Sequence, residues 1–167
     1  VQVLPVGPKS VRRAWRALQQ GQVVVVASGM GSRPVKVTDL LLNGAHTAVA
    51  GDDETYKGLA EQLRQIHHEA IDGLLEPEGE RQVIMAEIDQ FVRQYERFCQ
   101  AICVLAELTP RALDAISGMG EQMSVRILAA YLRQIGFPAE AIDATELVVT
   151  DDNFLSANPF MDLTEAK

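Results

Sequence analysis

"QVVVVAS", residues 22–28, sets the architecture expected for this chain. Its successive valines are β-branched and leave no polar face. Such a run suits a strand buried on both sides, as in a parallel sheet. "VQVLPV" (1–6) reads as a shorter strand, and "KSVRRAWRALQQG" (9–21) between them reads as a helix. In that helix Val11, Trp15 and Leu18 share one face, and Gly21 stands at the stop position. Strand, helix and strand in so short a span make a βαβ unit. Ligands of open α/β sheets sit beyond the C-terminal ends of strands. The loop that follows, "GMGSRPVK" (29–36), is therefore a candidate site by position.

The bulk properties bound the function. The chain has 167 residues, 47% hydrophobic and 23% charged, which suits one soluble domain with a substantial core. A formal net charge of -8 argues against a nucleic-acid partner, because phosphate neutralisation needs a basic face. The apolar runs are too short to span a bilayer, and the N-terminus has no basic-then-apolar leader. A cytoplasmic protein with no membrane partner is expected. Cys99 and Cys103, one helical turn apart, read as small packed residues in a reducing compartment.

Beyond the first loop the pattern is helical. "VTDLLLNGAHTAV" (37–49) has helical periodicity. A helical hairpin is expected over about 54–106, in two parts. In the first, Tyr56, Leu59, Leu63, Ile66, Ala70 and Leu74 form an apolar stripe. In the second, Ile84, Ile88, Phe91, Tyr95, Phe98, Ile102 and Leu105 do the same, and "LLEPEGE" (74–80) supplies the turn. An intermolecular coiled coil is the rival reading of these heptads. "LTPRALDAIS" (108–117) opens another helix, with Thr109 as N-cap and Pro110 in the first turn. Val125, Leu128, Leu132 and Ile135 continue the pattern until Gly136 closes it. "ELVVT", within 145–150, reads as a strand that joins the same sheet.

"ALDAISGMGEQMSV" (112–125) carries the most specific chemistry. Gly118 and Gly120 interrupt a helical pattern at a cost of about 1 kcal/mol each against alanine. Glu121 and Ser124 follow them. On one reading the glycines let backbone approach a ligand closely, with the Glu121 carboxylate facing it. Alternatively, Glu121 is a solvated acid placed by the helix dipole. Thr38 is either an N-cap or a ligand contact, and Ser28 is a candidate in the loop after the valine run. Asp151 and Asp152 read as turn residues rather than metal ligands. His67 and His68 are adjacent on a helix and diverge, so no metal site is expected.

Three stretches, "VVVVASGMG…VTDLLL", "LTPRALDAISGMGEQMSVRILAAYLRQIGFPAEAIDA" and "ELVVTDDNFLSANP", resemble in order the N-terminal half of aspartokinases, members of the amino acid kinase superfamily. The resemblance covers nearly the whole chain and is most specific from Leu108 to Pro159. It implies a three-layer α/β/α sandwich around a mostly parallel sheet, with residues 1–167 forming the N-terminal portion of the kinase domain. It also implies ATP-dependent phosphorylation of the aspartate side-chain carboxylate, in the biosynthesis of lysine, threonine and methionine. Glu121 matches the family's acid that binds the substrate's amino group, and Thr38 matches its substrate-contacting threonine. Ser28 matches its serine after the second strand when one inserted residue is allowed; direct counting places Ala27 there.

Two departures from the family pattern stand out. Its opening Lys-Phe-Gly-Gly-Thr-Ser-Val appears here as Pro5-Val6-Gly7-Pro8-Lys9-Ser10-Val11. Proline thus replaces the lysine that steadies the transferring phosphoryl group, and no catalytic residue is assigned. Gly7, Lys9 and Ser10 are the remnant of the phosphate loop. The chain also stops before the family's nucleotide-binding half and its ACT domains. ATP and Mg²⁺ are expected for the complete enzyme, and no cofactor for this stretch alone. The implied partners are L-aspartate, the remainder of the kinase domain, and other copies in a homo-oligomer. The alternative is a non-catalytic amino-acid-binding or assembly module derived from an aspartokinase.

Overall fold

A computed structural model of the chain describes residues 27–31 and 35–165. The expected strand at 1–6, the helix at 9–21 and all but the end of the strand at 22–28 lie outside the described residues. So do Pro5, Gly7, Lys9 and Ser10. Ala27 and Ser28, the last residues of the valine run, belong to an irregular loop.

The described chain is built from helices. α1 (Val37–Val49) leads through a tight turn at Gly51, whose φ of 82° suits glycine, into α2 (Asp53–Leu74). Asp52 caps α2 by accepting from Thr55 N at 3.0 Å. α3 (Arg81–Leu105) runs back along α2, and Arg64 Nε–Asp89 Oδ1 (3.2 Å) and Arg81–Asp72 ion pairs join the two. α4 (Pro110–Ser117) starts with the Thr109 cap and Pro110 in its first turn, Thr109 Oγ1 accepting from Ala112 N at 3.1 Å. α5 (Met119–Gln134) follows after a single residue, Gly118. It ends as Gly136 turns left-handed at φ 90° and Phe137 N donates to Leu132 O at 2.9 Å. The short α6 (Ala144–Leu147) and α7 (Met161–Glu165) complete the chain.

Helical periodicity decides what is buried. On α2 the seam is Tyr56, Ala60, Leu63, His67 and Ile71; on α3 it is Ile84, Ile88, Val92, Tyr95, Cys99 and Ile102. The two faces meet within one chain, so the heptads serve an intramolecular hairpin. The seam on α2 is rotated from the expected stripe: Leu59, Ile66 and Leu74 flank it, half-buried, instead of lining it. On α3, Phe91 and Phe98 flank it, and Leu105 is 72% exposed. Arg126 of α5 lies 4.6 Å from the Phe91 ring centroid, a cation–π contact over a half-buried ring. α1 lies across the hairpin with Leu40, Leu41, Ala45 and Ala48 buried, and α5 adds Met123, Ile127 and Ala130 to the same core.

Among the described residues there is no strand and no sheet, so the expected three-layer α/β/α sandwich is replaced by a helical assembly. "ELVVT" shows why. Asp143 accepts from Thr145 N at 3.0 Å and Thr145 Oγ1 at 2.9 Å, which caps a helical turn at Ala144–Leu147. The chain then extends, and its pairing is a single antiparallel bridge between Thr150 and Pro159. β-branched residues favour a strand only where a neighbour completes the ladder, and here the neighbour is the chain's own return. No helix among the described residues is long and apolar enough to cross a membrane.

Candidate functional site

Three distant stretches meet at the start of α5. Gly29 N donates to Glu121 Oε1 at 3.0 Å, across 92 positions of sequence. A Cβ on Gly29 would stand 3.3 Å from Thr38 Oγ1 and 3.4 Å from Glu121 Oε1. The loop, the first turn of α1 and the first turn of α5 therefore bring Ser28, Gly29, Thr38 and Glu121 together. Thr38 is the second residue of α1 and not its cap; Lys36 holds that position without a side-chain bond.

The glycine pair in "SGMGEQ" has two separate explanations. Gly118 links α4 and α5, and a Cβ there would meet only Asp114 O, at an ordinary 3.6 Å. Gly120 is the close approach: a Cβ there would stand 3.1 Å from Val37 Cγ1 and 3.6 Å from Gly29 Cα. The close contact that glycine eases is thus with the protein's own loop and α1. It lets the start of α5 come close enough for Glu121 to reach Gly29 N–H.

Ser124, one turn further along α5, is 1% exposed. Its hydroxyl donates to Ser28 O at 2.7 Å, with Glu121 O a longer alternative at 3.2 Å. Ser28 thus joins the site through its backbone carbonyl, while its own side chain is exposed, 3.5 Å from Gly29 O. The sequence marks Ser124, three residues after Glu121, and the loop that begins at Gly29, but gives neither Ser124 nor Gly29 a role of its own.

The carboxylate of Glu121 is half-buried, and among the described residues only Gly29 donates to it. Thr38 is half-buried, and its hydroxyl has no hydrogen-bond partner among them. An acid and a hydroxyl side by side, with capacity to spare, suit a ligand that carries donors such as an ammonium. The next residue, Gln122, donates to Asp143 Oδ2 at 2.5 Å and ties the 140s segment to α5. Burial opposes ionisation of Asp143, but hydrogen bonds from Thr145 and Gln122 outweigh it and hold the pKa below the usual range.

The other candidates lie elsewhere. Asp151 organises a turn, accepting from Asn153 N at 3.2 Å and from Asn158 N and Nδ2 at 3.0 Å each. His67 is buried in the hairpin, whereas His68 Nε2 meets Asp89 Oδ1 at 3.1 Å. Among the described residues no three His, Cys, Asp or Glu side chains stand together as a metal site. An open cleft of about 480 Å³, lined in part by Asp53, Tyr56, Lys57, Glu96 and Cys103, includes none of Ser28, Thr38 or Glu121.

No protein-family model matches the chain. Chloroplastic aspartokinase 3 of Arabidopsis thaliana is 30% identical over 169 aligned residues, covering 93% of this chain and 28% of that protein. Chloroplastic aspartokinase 2 of the same plant is 30% identical over 138 residues, covering 81% of the chain and 23% of that protein. An aspartokinase of Schizosaccharomyces pombe is 40% identical over 55 residues, 33% of the chain and 11% of that protein. The chain spans about a quarter of the length of the Arabidopsis aspartokinases it matches most fully. Matched along most of its length by several such enzymes, the chain belongs to the aspartokinase family.

Proposed function

We propose that this stretch supplies the aspartate-contacting part of an aspartate kinase. That enzyme transfers a phosphoryl group from ATP to the side-chain carboxylate of L-aspartate. The observation that carries the reading is the convergence of Glu121, Thr38 and the Gly29 N–H from three separate stretches. Glu121 pairs with the substrate's α-ammonium, and Thr38 Oγ1 gives or takes one further hydrogen bond. A charge-assisted bond of this kind is worth about 1.5–3 kcal/mol. It holds the amino acid by its constant end and leaves the reacting carboxylate free to face the phosphoryl donor.

In this reading ATP and Mg²⁺ are held by the complete enzyme. The described residues form no metal cluster, and the nominated phosphate-loop residues Gly7, Lys9 and Ser10 lie outside them. The same reading assigns nucleotide binding, the oligomeric state and the partners to the complete protein. Holding both reactants in line supplies roughly 7–11 kcal/mol of the barrier in well-oriented reactions. This stretch alone, with one reactant's contacts, is expected to be inactive.

The test is steady-state kinetics of the complete natural protein, wild type and Glu121→Gln. The aspartate KM is expected to rise about tenfold or more while the ATP KM stays within about twofold, the scale of one lost charge-assisted bond. An unchanged aspartate KM overturns the role given to Glu121.

A further inference from the structure

Ser28 and Gly29 share one peptide group, and α5 holds both of its polar ends. Its carbonyl accepts from Ser124 Oγ at 2.7 Å, and its N–H donates to Glu121 Oε1 at 3.0 Å. The C=O and N–H of a planar trans peptide point in opposite directions. Glu121 and Ser124, three residues apart on one helix face, are spaced to meet the two ends.

The chemistry of the two side chains makes this arrangement directional. A carboxylate only accepts, so it selects the N–H end of the peptide. A hydroxyl can donate, and the only strong acceptor the peptide offers is its carbonyl. Turning the peptide over would set Ser28 O against the Glu121 carboxylate, acceptor against acceptor. It would also cost Ser124, itself 1% exposed, its shorter bond at a position where water does not readily replace it. Donation into the carbonyl further strengthens the N–H of the same amide as a donor. Ser124 thus acts on Glu121 through the peptide between them.

We propose that Ser124 is a positioning residue for the amino-acid site. Its hydroxyl locks the Ser28–Gly29 peptide so that Glu121 Oε1 is held in place and the second carboxylate oxygen is left for the ligand's ammonium. This rests on the reading of Glu121 as the ammonium contact.

The experiment uses the complete natural protein in four forms: wild type, Ser124→Ala, Glu121→Gln and the double variant, with Ser124→Thr as the conservative control. Ser124→Ala is expected to raise the aspartate KM about fivefold, the scale of one neutral hydrogen bond, with kcat and the ATP KM within about twofold. Ser124→Thr keeps the donor and should stay within about twofold of wild type on the same scale. In the Glu121→Gln background, Ser124→Ala should add little, because its effect runs through the carboxylate. Three results overturn the proposal: an unchanged aspartate KM in Ser124→Ala, a parallel rise in the ATP KM, or full additivity with Glu121→Gln. If Glu121→Gln alone leaves the aspartate KM unchanged, the reading of the site fails first, so the two failures are distinguishable. Should Ser124→Ala not fold, Ser124→Cys, nearly isosteric and a weak donor, takes its place, and a wild-type aspartate KM in that variant overturns the proposal.

Discussion

The Tyr95 hydroxyl occupies the space where a side chain on Gly44 would begin. A Cβ at Gly44 would stand 1.7 Å from Tyr95 Oη and 2.9 Å from Cζ. The ring is fully buried, and its hydroxyl lies 3.3 Å from Leu41 O and 3.4 Å from Leu40 O, so it binds the backbone of α1 from beneath. Burial raises the pKa of this phenol far above its ordinary value, and it stays a neutral donor. α1 can therefore lie directly on α3 only where it carries glycine.

Gly44→Ala is expected to destabilise the chain. Alanine gains about 1 kcal/mol in helix propensity, but the clash is with a ring that has no free space, and overpacking costs about 1–3 kcal/mol. The second effect should win. Tyr95→Phe in the Gly44→Ala background removes the nearer of the two clashing atoms and should recover part of the loss. Urea unfolding of the four forms checks this, and a Gly44→Ala midpoint at or above wild type would contradict it.

His67 should make stability fall in acid. A carbonyl can only accept, so the 2.6 Å contact between His67 Nδ1 and Leu63 O places the proton on Nδ1. That leaves Nε2 buried without a hydrogen-bond partner among the described residues. Burial lowers the pKa of His67 below its ordinary 6.5. The unfolded chain then binds a proton that the folded chain refuses, so stability is full above about pH 6.5 and declines as pH falls below it. The decline is at most about 1.4 kcal/mol per pH unit. His67→Leu removes the orphaned nitrogen at similar volume. It should equal wild type at pH 7.5 and exceed it at pH 5.5, as measured by urea midpoints at both values.

The two cysteines should separate in a thiol-labelling experiment. Cys99 is fully buried, and burial pushes its pKa up to about 11, so little thiolate forms near neutral pH. Cys103 is half-buried at the flank of the same helix. At pH 8 a disulfide reagent should modify Cys103 in the folded chain and Cys99 only after denaturant is added. Mass mapping of the labelled peptides reads the result, and equal labelling rates would contradict it.

Gly29→Ala should damage binding more than folding. The new Cβ would lie 3.3 Å from Thr38 Oγ1 and 3.4 Å from Glu121 Oε1, in the gap between the two proposed ligand contacts. These distances are tight but nowhere near the overlap at Gly44. In the complete protein the expected outcome is a rise in aspartate KM of about tenfold, about 1.4 kcal/mol, with the ATP KM little changed. Thermal stability should fall by less than for Gly44→Ala. A variant with normal aspartate KM would show that the gap is not used.

What the sequence determined by itself was whatever depends on near neighbours in the chain. The bounds of α1, the Thr109 cap with Pro110 behind it, and the left-handed stop at Gly136 follow from local backbone chemistry. The two long helices follow from periodicity, which is also local. The tertiary structure decided what depends on distant partners. It rotated the buried seam of α2 towards Ala60 and Ile71, because α1 and α3 pack there together. It turned "ELVVT" into a helical turn and one antiparallel bridge, since a strand exists only where another completes its hydrogen bonds. At the candidate site, Glu121, Thr38 and Ser28 could be nominated by residue type and position. Their convergence, the entry of Ser28 by its carbonyl, and the parts of Gly29 and Ser124 could not. Those rest on a single peptide held between two side chains more than 90 residues away, and only the folded chain brings them within hydrogen-bonding distance.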